Sequence, residues 1–312
     1  MRERSTMADP LSDILALVEA HTFVSGRLHA GGDWAVLFPP PDKIKFSAML
    51  DGACWLVMDG RPPVRLDVGD VIAVNGRLPF VLASDPSQRP VSARDLFRGE
   101  GFAQAGAGDA IRIIGGHVAF EARRGDALMD VLPPLIHVRG ASPEAASLRW
   151  LLNRLGAETA SIQPGAGAAT GHLGQLMFLE LLRTHLAQGG IETEGWLAAL
   201  GDPRLAPALH LMHGRPACAW TVEELAAACA LSRTAFAVRF KATAGVAPLT
   251  YLAQWRMRLA ERALRDGREG VAAIARSVGY ASESAFTHAF KRIVGASPRQ
   301  YRVAADLVEA AE

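Results

Sequence analysis

The chain has 312 residues, half of them apolar and 21% charged, with a net charge of +1, which excludes wholesale disorder and leaves enough material for two cores. No apolar run reaches membrane-spanning length and the first residues, MRERSTMADP, lack the apolar stretch of a secretory signal, so the protein is expected in the cytoplasm with no membrane partner. The near-neutral total hides an asymmetry: residues 1–201 carry 18 Lys/Arg against 22 Asp/Glu, whereas residues 202–302 carry 15 against 7, a basic excess that suits a phosphate-backbone partner.

In the N-terminal part the runs KFSAML, ACWLVM, PVRL, VIAV, FVLA, IRII and HVAF are short, apolar or alternating. Turn pairs at Asp51-Gly52, Asp59-Gly60 and Gly69-Asp70 separate several of them, and together they predict a small β-barrel or sandwich. The interior of such a fold suits a small-molecule effector. Candidates to line it are Trp34, Phe46, Trp55, Phe80 and His117, with ordinary core packing as the alternative for each. An enzyme on this scaffold would need His and Glu ligands gathered on adjacent strands. Ser47 and Phe80 stand where histidines would be sought, and His117 and His137 are isolated, so a cupin-type metalloenzyme fused to a basic helical domain is the lesser reading and no cofactor is expected. Cys54, Cys218 and Cys229 form no CxxC pair and read as small buried hydrophobes.

Two helices are expected next, over residues 144–156 and 171–188, interrupted by the loop PGAGAATG. Leu173, Leu176, Met177, Leu179, Leu182 and Leu186 cover more than one face of the second helix, so it should pack on the barrel and on something else. The Gly-rich, acidic stretch AQGGIETEG reads as an interdomain linker. The expected division is therefore a domain over residues 1–190 and another over residues 195–304.

Farther along, Thr221 and Glu224 have capping-box spacing and start a helix to about Ala228. A tight turn through Cys229, Ala230 and Leu231 leads to Ser232, a good N-cap, and to a second helix ending before Gly245. Phe236 and Phe240, four apart, share the face that should meet Leu225. These features make a helix-turn-helix over about residues 221–244. Fifty residues on, Ser232, Ala235, Phe236, Phe240, Lys241, Gly245, Pro248 and Tyr251 recur as Ser282, Ala285, Phe286, Phe290, Lys291, Gly295, Pro298 and Tyr301. A second helix-turn-helix thus covers about residues 271–294. Between them, Pro248 opens a helix to about Asp266, roughly 27 Å long at 1.5 Å per residue, suited to holding two recognition helices near the roughly 34 Å groove repeat. Its outer face carries Arg258, Arg262 and Arg265, either phosphate contacts or a solvated face with Arg265 paired to Glu261. Ala230 stands where the second copy has Gly279; if that turn needs positive φ, alanine costs about 1 kcal/mol there.

The stretch GWLAALGDPRLAPALHLMHGRPACAWTVEELA, followed by LSRTAFAVRFKATAG, PLTYLAQWRMRLAERAL and IARSVGYASESAFTHAFKRIVGASPRQYR, closely resembles the AraC/XylS family of transcription regulators. The N-terminal layout, with FxxxLxGxCWL and a following Gly-Asp turn, resembles the cupin-type sensor domain of one subgroup of that family. The resemblance implies an α+β protein: a cupin-like β-barrel with flanking helices and an all-α domain with two helix-turn-helix motifs. It also implies that each recognition helix enters the major groove of double-stranded DNA, with Arg233, Thr234, Ala237 and Val238 of the first and Glu283, Ser284, Thr287 and His288 of the second at the bases. On chemical grounds Ala237 and Val238 offer apolar contact, as to a thymine methyl, Arg233 donates to guanine or phosphate, and Glu283 accepts from cytosine. Lys241, Lys291 and Arg292 hold the backbone and set register. The function expected is sequence-specific transcription regulation under control of a small-molecule effector, without enzyme activity; RNA polymerase and a second copy of the chain are the further partners left open.

Overall fold

In the computed structural model, the residues described are 9–17, 21–41, 43–97, 101–119, 132–160, 163–188, 196–267 and 269–309. The chain forms two compact units, one spanning Val18–Thr193 and one joining Met1–Leu17 to Glu194–Glu312. The linker expected around residues 189–195 lies outside the described residues.

The chain opens with α1 (Pro10–Leu17) and enters the first unit through strands β1 (His21–Gly31), β2 (Ala35–Phe38), β3 (Ile44–Asp51), β4 (Cys54–Met58), β5 (Val64–Leu66), β6 (Val71–Val74), β7 (Phe80–Ala83) and β8 (Val91–Ser92). Then come α2 (Ala93–Leu96), β9 (Phe102–Gly106), β10 (Ile111–Ala119), β11 (Leu135–Val138), α3 (Ala146–Thr159) and α4 (Ala166–Ala187). The strands make a six-stranded sheet in the order β11-β6-β3-β10-β1-β9 and a five-stranded sheet in the order β5-β4-β7-β2-β8. Among the described residues no hydrogen-bonded ladder joins the two, so the expected barrel is seen here as two facing sheets.

Period-two alternation decides which side chains meet between the sheets. Leu28, Met49, Ile72 and Ile113 of the larger sheet pack with Val36, Leu56, Phe80 and Leu82 of the smaller in one buried cluster. The opposite face of the larger sheet carries Phe46, Ala48 and Leu50 and is covered by helices. A Cβ on Gly156 of α3 would lie 3.3 Å from Leu50, and one on Gly174 of α4 would lie 3.1 Å from Thr22 and 3.3 Å from Val24. Strand β3 is thus buried on both sides, which explains its almost unbroken burial. A bulge between Val24 and Gly26 shifts the register of β1 against β10 and sets Ser25 apart from the ladder.

Three expectations are corrected. The loop PGAGAATG becomes helix from Ala166 onward, because Gly165, in the left-handed region at φ +86°, makes the entry turn and the following alanines are strong helix formers. Cys218 is exposed, whereas Cys54 and Cys229 are buried as expected; desolvation pushes the Cys54 thiol up to about 12. The first residues do not group with the strands. Instead α1 packs against two helices of the second unit, α6 (Ala206–Gly214) and α9 (Pro248–Arg265).

That second unit is all-α, with α5 (Trp196–Gly201) preceding α6, then α7 (Val222–Ala228), α8 (Arg233–Ala244), the long α9, α10 (Val271–Ser277), α11 (Glu283–Val294) and α12 (Pro298–Glu309). At its centre the His213 ring stacks on Trp255 at 4.0 Å and its Nε2 lies 2.7 Å from the Tyr251 hydroxyl. The carboxylate of Asp13, from α1, is 3.6 Å from the other ring nitrogen. Burial, with His210 nearby, pushes the pKa of His213 down to about 3, so this ring is neutral.

Candidate nucleic-acid interface

Each helix-turn-helix is assembled from local signals. In the first, the Thr221 hydroxyl accepts from the Glu224 amide at 3.2 Å and the Glu224 carboxylate accepts from the Thr221 amide at 2.8 Å, the reciprocal cap that starts α7. The Ser232 hydroxyl accepts from the Ala235 amide at 3.2 Å and starts α8, which Gly245 ends at φ +76°. In the second, Ser282 accepts from Ala285, also at 3.2 Å, to start α11, and Gly295 ends it at φ +89°.

The same aromatic skeleton anchors both recognition helices. Phe236 and Phe240 are fully buried with ring centres 5.6 Å apart, and Tyr251 meets Phe240 edge-on at 5.7 Å. Phe286 and Phe290 are fully buried 5.5 Å apart, and Tyr301 meets Phe290 at 5.6 Å. The turns show a detail that an offset of fifty conceals. Leu231 donates to Ala226 in the first copy and Tyr280 donates to Ala275 in the second, a spacing of 49, while the serine caps stand 50 apart. Ala281 is the extra residue between turn and cap. Ala230 takes the left-handed conformation at φ +51°, alone among the described non-glycine residues, and Gly279 takes it at φ +86°.

With the phenylalanines pointing inward, the opposite sides of α8 and α11 face out. Arg233, Thr234 and Lys241 are exposed, Val238 is 65% exposed and Ala237 is half-buried. On α11, Glu283, Ser284, His288, Lys291 and Arg292 are exposed and Thr287 is half-buried. Arg233 pairs with Glu223 at 2.9 Å, both side chains well exposed; such a pair is weak and exchangeable for a phosphate or base. Lys241, Lys291 and Arg292 make no ion pair among the described residues. Two further arginines are spoken for. Arg239 on α8 is bound to Asp202 at 2.6 Å, and Arg265 on α9 donates to the Tyr301 hydroxyl at 2.6 Å.

The first unit holds a cavity of about 500 Å³ whose wall includes Leu28, Phe38, Lys45, Ser47, Arg94 and Phe97. None of the five sequence candidates is in its wall. Phe80 stacks behind Phe38 at 4.8 Å, and Trp34 is core between the sheets. His117, paired in register with Lys45, reaches the cavity through Ser25, its Nδ1 3.2 Å from that hydroxyl. Phe46 and Trp55 have the wrong parity and face away from the intersheet core. Lys45 and Arg94 line it and were not among the candidates, although alternation along IKFSAML puts Lys45 on the side of Ser47 and Met49.

His137 is held by Asp70 at 2.8 Å, an acid that also accepts from the Gly140 amide at 2.8 Å, so this histidine serves the β6–β11 junction. Hydrogen bonds from His137 and Gly140 outweigh burial and hold Asp70 below the usual carboxylate range. Among the described residues no three His, Cys, Asp or Glu side chains gather in a metal-ligand cluster, and no helix is long and apolar enough to cross a membrane.

A sequence model for cupins matches residues 9–187, and one for a helix-turn-helix domain matches residues 225–304. A putative AraC-like transcription regulator of Streptomyces antibioticus is 43% identical over 94% of this chain and 98% of its own length. The chain belongs to the AraC/XylS family of transcription regulators. A relative in Streptomyces lividans is likewise 43% identical over 94% of this chain and 98% of its own. The transcriptional regulator AlkR of Acinetobacter baylyi is 31% identical over 87% of this chain and 91% of its own. Within this AraC-family chain, the matched cupin segment covers the two-sheet unit, and the matched helix-turn-helix segment starts at Leu225, inside α7, and contains both recognition helices. It is a DNA-binding transcription regulator, like the relatives it matches over nearly their whole lengths.

Proposed function

We propose that this regulator reads a specific duplex sequence with α8 and α11 and that a small molecule held between the sheets of the first unit controls how it does so. The observation that carries the reading is the repeated one: two helices with fully buried phenylalanines on one side and polar, basic or apolar contact groups on the other. Arg233, Thr234, Ala237 and Val238 then face bases in one groove segment, and Glu283, Ser284, Thr287 and His288 in the other, while Lys241, Lys291 and Arg292 neutralise phosphates. Support for the sensing half is the 500 Å³ cavity, within the usual range for small-molecule sites. The effector acts by binding one state of the regulator better than another, which shifts DNA occupancy or contact with RNA polymerase. A homodimer through α4, whose Leu176 is 43% exposed, belongs to the same reading.

Selection of sites from random duplex DNA by the full-length chain tests the DNA half. The sites should converge on two half-sites about one helical turn apart, with affinity falling steeply as salt rises. Affinity indifferent to salt overturns it. A compound that binds the chain should change the Kd for the selected duplex severalfold; bound compounds that leave DNA affinity and transcription untouched overturn the sensing half.

A further inference from the structure

The cavity in the first unit has a one-sided electrostatic character. Among the described residues its wall contains two cations, Lys45 and Arg94, and no carboxylate. Lys45 sits on β3, on the same side as Ser47, and its ammonium lies 4.1 Å above the centre of the Phe38 ring. It makes no ion pair among the described residues. The charged and titratable groups that face it are Lys43 on its own segment, His117 across the ladder on β10, and Arg94 on α2 at the exposed rim. A largely buried ammonium with only a ring face beside it is an unfinished pair.

The rest of the wall is greasy and stiff. Leu28, Phe38, Leu82, Phe97 and Ile113 give the apolar surface, and Pro39–Pro41 form a segment of restricted backbone. Ser25 and Ser47 add hydroxyl donors.

Resting on the sensor reading above, we propose that the effector is a small organic acid, its carboxylate paired with Lys45 and its apolar body against Phe38, Phe97 and the proline rim. A single carboxylate matches the one buried ammonium. A phosphate dianion would leave a second charge in an apolar wall with only the exposed Arg94 to meet it, which is costly. The state of Lys45 follows the same logic. Burial and the like charge of Lys43 lower its pKa to about 8, so it is charged at neutral pH and loses that charge readily above. A bound carboxylate raises this pKa again. Acid affinity is therefore full below about pH 8 and declines above it.

The test uses isothermal titration of the full-length protein with 2-naphthoate and decanoate, their amides, and 2-naphthyl phosphate. At pH 7 each acid should bind at least tenfold more tightly than its amide. In Lys45→Met that ratio should fall to near one, and in Lys45→Arg it should persist. In the wild type the ratio should shrink between pH 8 and 10. Unchanged circular dichroism and an unchanged thermal melt show that Lys45→Met is folded; should it fail to fold, the pH profile and Lys45→Arg decide alone. The proposal is overturned if amides bind as tightly as acids, if naphthyl phosphate outbinds naphthoate, or if Lys45→Met keeps the acid preference. Amides that bind and shift DNA affinity overturn the acid class but leave the sensor reading standing, whereas no binding by any compound overturns this proposal and the assignment of the cavity as the effector site together.

Discussion

The two turns make a paired experiment, because the same backbone conformation is occupied by alanine in one copy and glycine in the other. At Ala230 the left-handed conformation costs a non-glycine residue about 1–2 kcal/mol. Glycine removes that strain but returns about 0.4–1 kcal/mol through the greater freedom of the unfolded chain. Ala230→Gly should therefore stabilise the helical unit by about 0.5–1 kcal/mol, a shift of a few degrees for a unit of this size. Gly279→Ala should go the other way and by more. A Cβ there would lie 2.5 Å from the carbonyl oxygen of Ala217 and 2.8 Å from its Cα, both backbone, at φ +86°. Overpacking and strain together should cost about 3 kcal/mol. Urea unfolding of the full-length chain, followed through the exchange of the Phe236 and Phe286 amides, separates the two motifs. A neutral or destabilising Ala230→Gly together with a tolerated Gly279→Ala would refute the strain argument.

His213 makes the helical unit acid-sensitive. The unfolded chain takes up a proton near pH 6.5 and the folded ring refuses it until about pH 3, so its contribution is complete above 6.5 and declines by about 1.4 kcal/mol per pH unit below. His213→Phe should flatten that acid limb in denaturant titrations, and an equally steep limb would exclude His213 as its source. Phe290→Ala should cost the helical unit about 3–5 kcal/mol and abolish DNA binding while the first unit still melts normally in calorimetry. Lys291→Ala should weaken binding to all duplexes and lower the salt slope by about one, whereas Thr234→Ala or Glu283→Gln should alter base preference at one position in a selection experiment. Gly116→Ala should destabilise the first unit, since its Cβ would stand 2.2 Å from the Phe46 ring and 2.3 Å from the Phe23 carbonyl oxygen; a variant of wild-type stability in thermal melts would contradict that packing.

The helix-turn-helix pair was legible because each of its signals is local: a serine three residues before the amide it caps, phenylalanines one turn apart, glycines at helix ends. The two-sheet unit was less so. Strands β3, β4, β6 and β7 announce themselves as apolar runs, but β1 does not, since its alternation is broken by the bulge at Ser25 and much of it is partly exposed. Choosing pocket candidates by residue type picked out Phe46 and Trp55, whereas parity along the strand decides which face a side chain occupies, and parity favours Lys45. The placement of α1 is non-local in the extreme. Nothing in PLSDILAL specifies a partner some two hundred residues later, and only the fold brings Asp13 to His213.

That placement makes the sheet unit a guest. Helix α1 belongs to the helical body, the strands and their helices follow, and that body resumes at α5, so the sheet unit is an insertion in the sequence of its host. A fragment cut out to isolate DNA binding, starting at the linker, would discard a piece of the very body it is meant to represent and uncover the flank of α6 and α9 that the first helix shields. Excising residues from the middle and rejoining the ends would preserve the host whole.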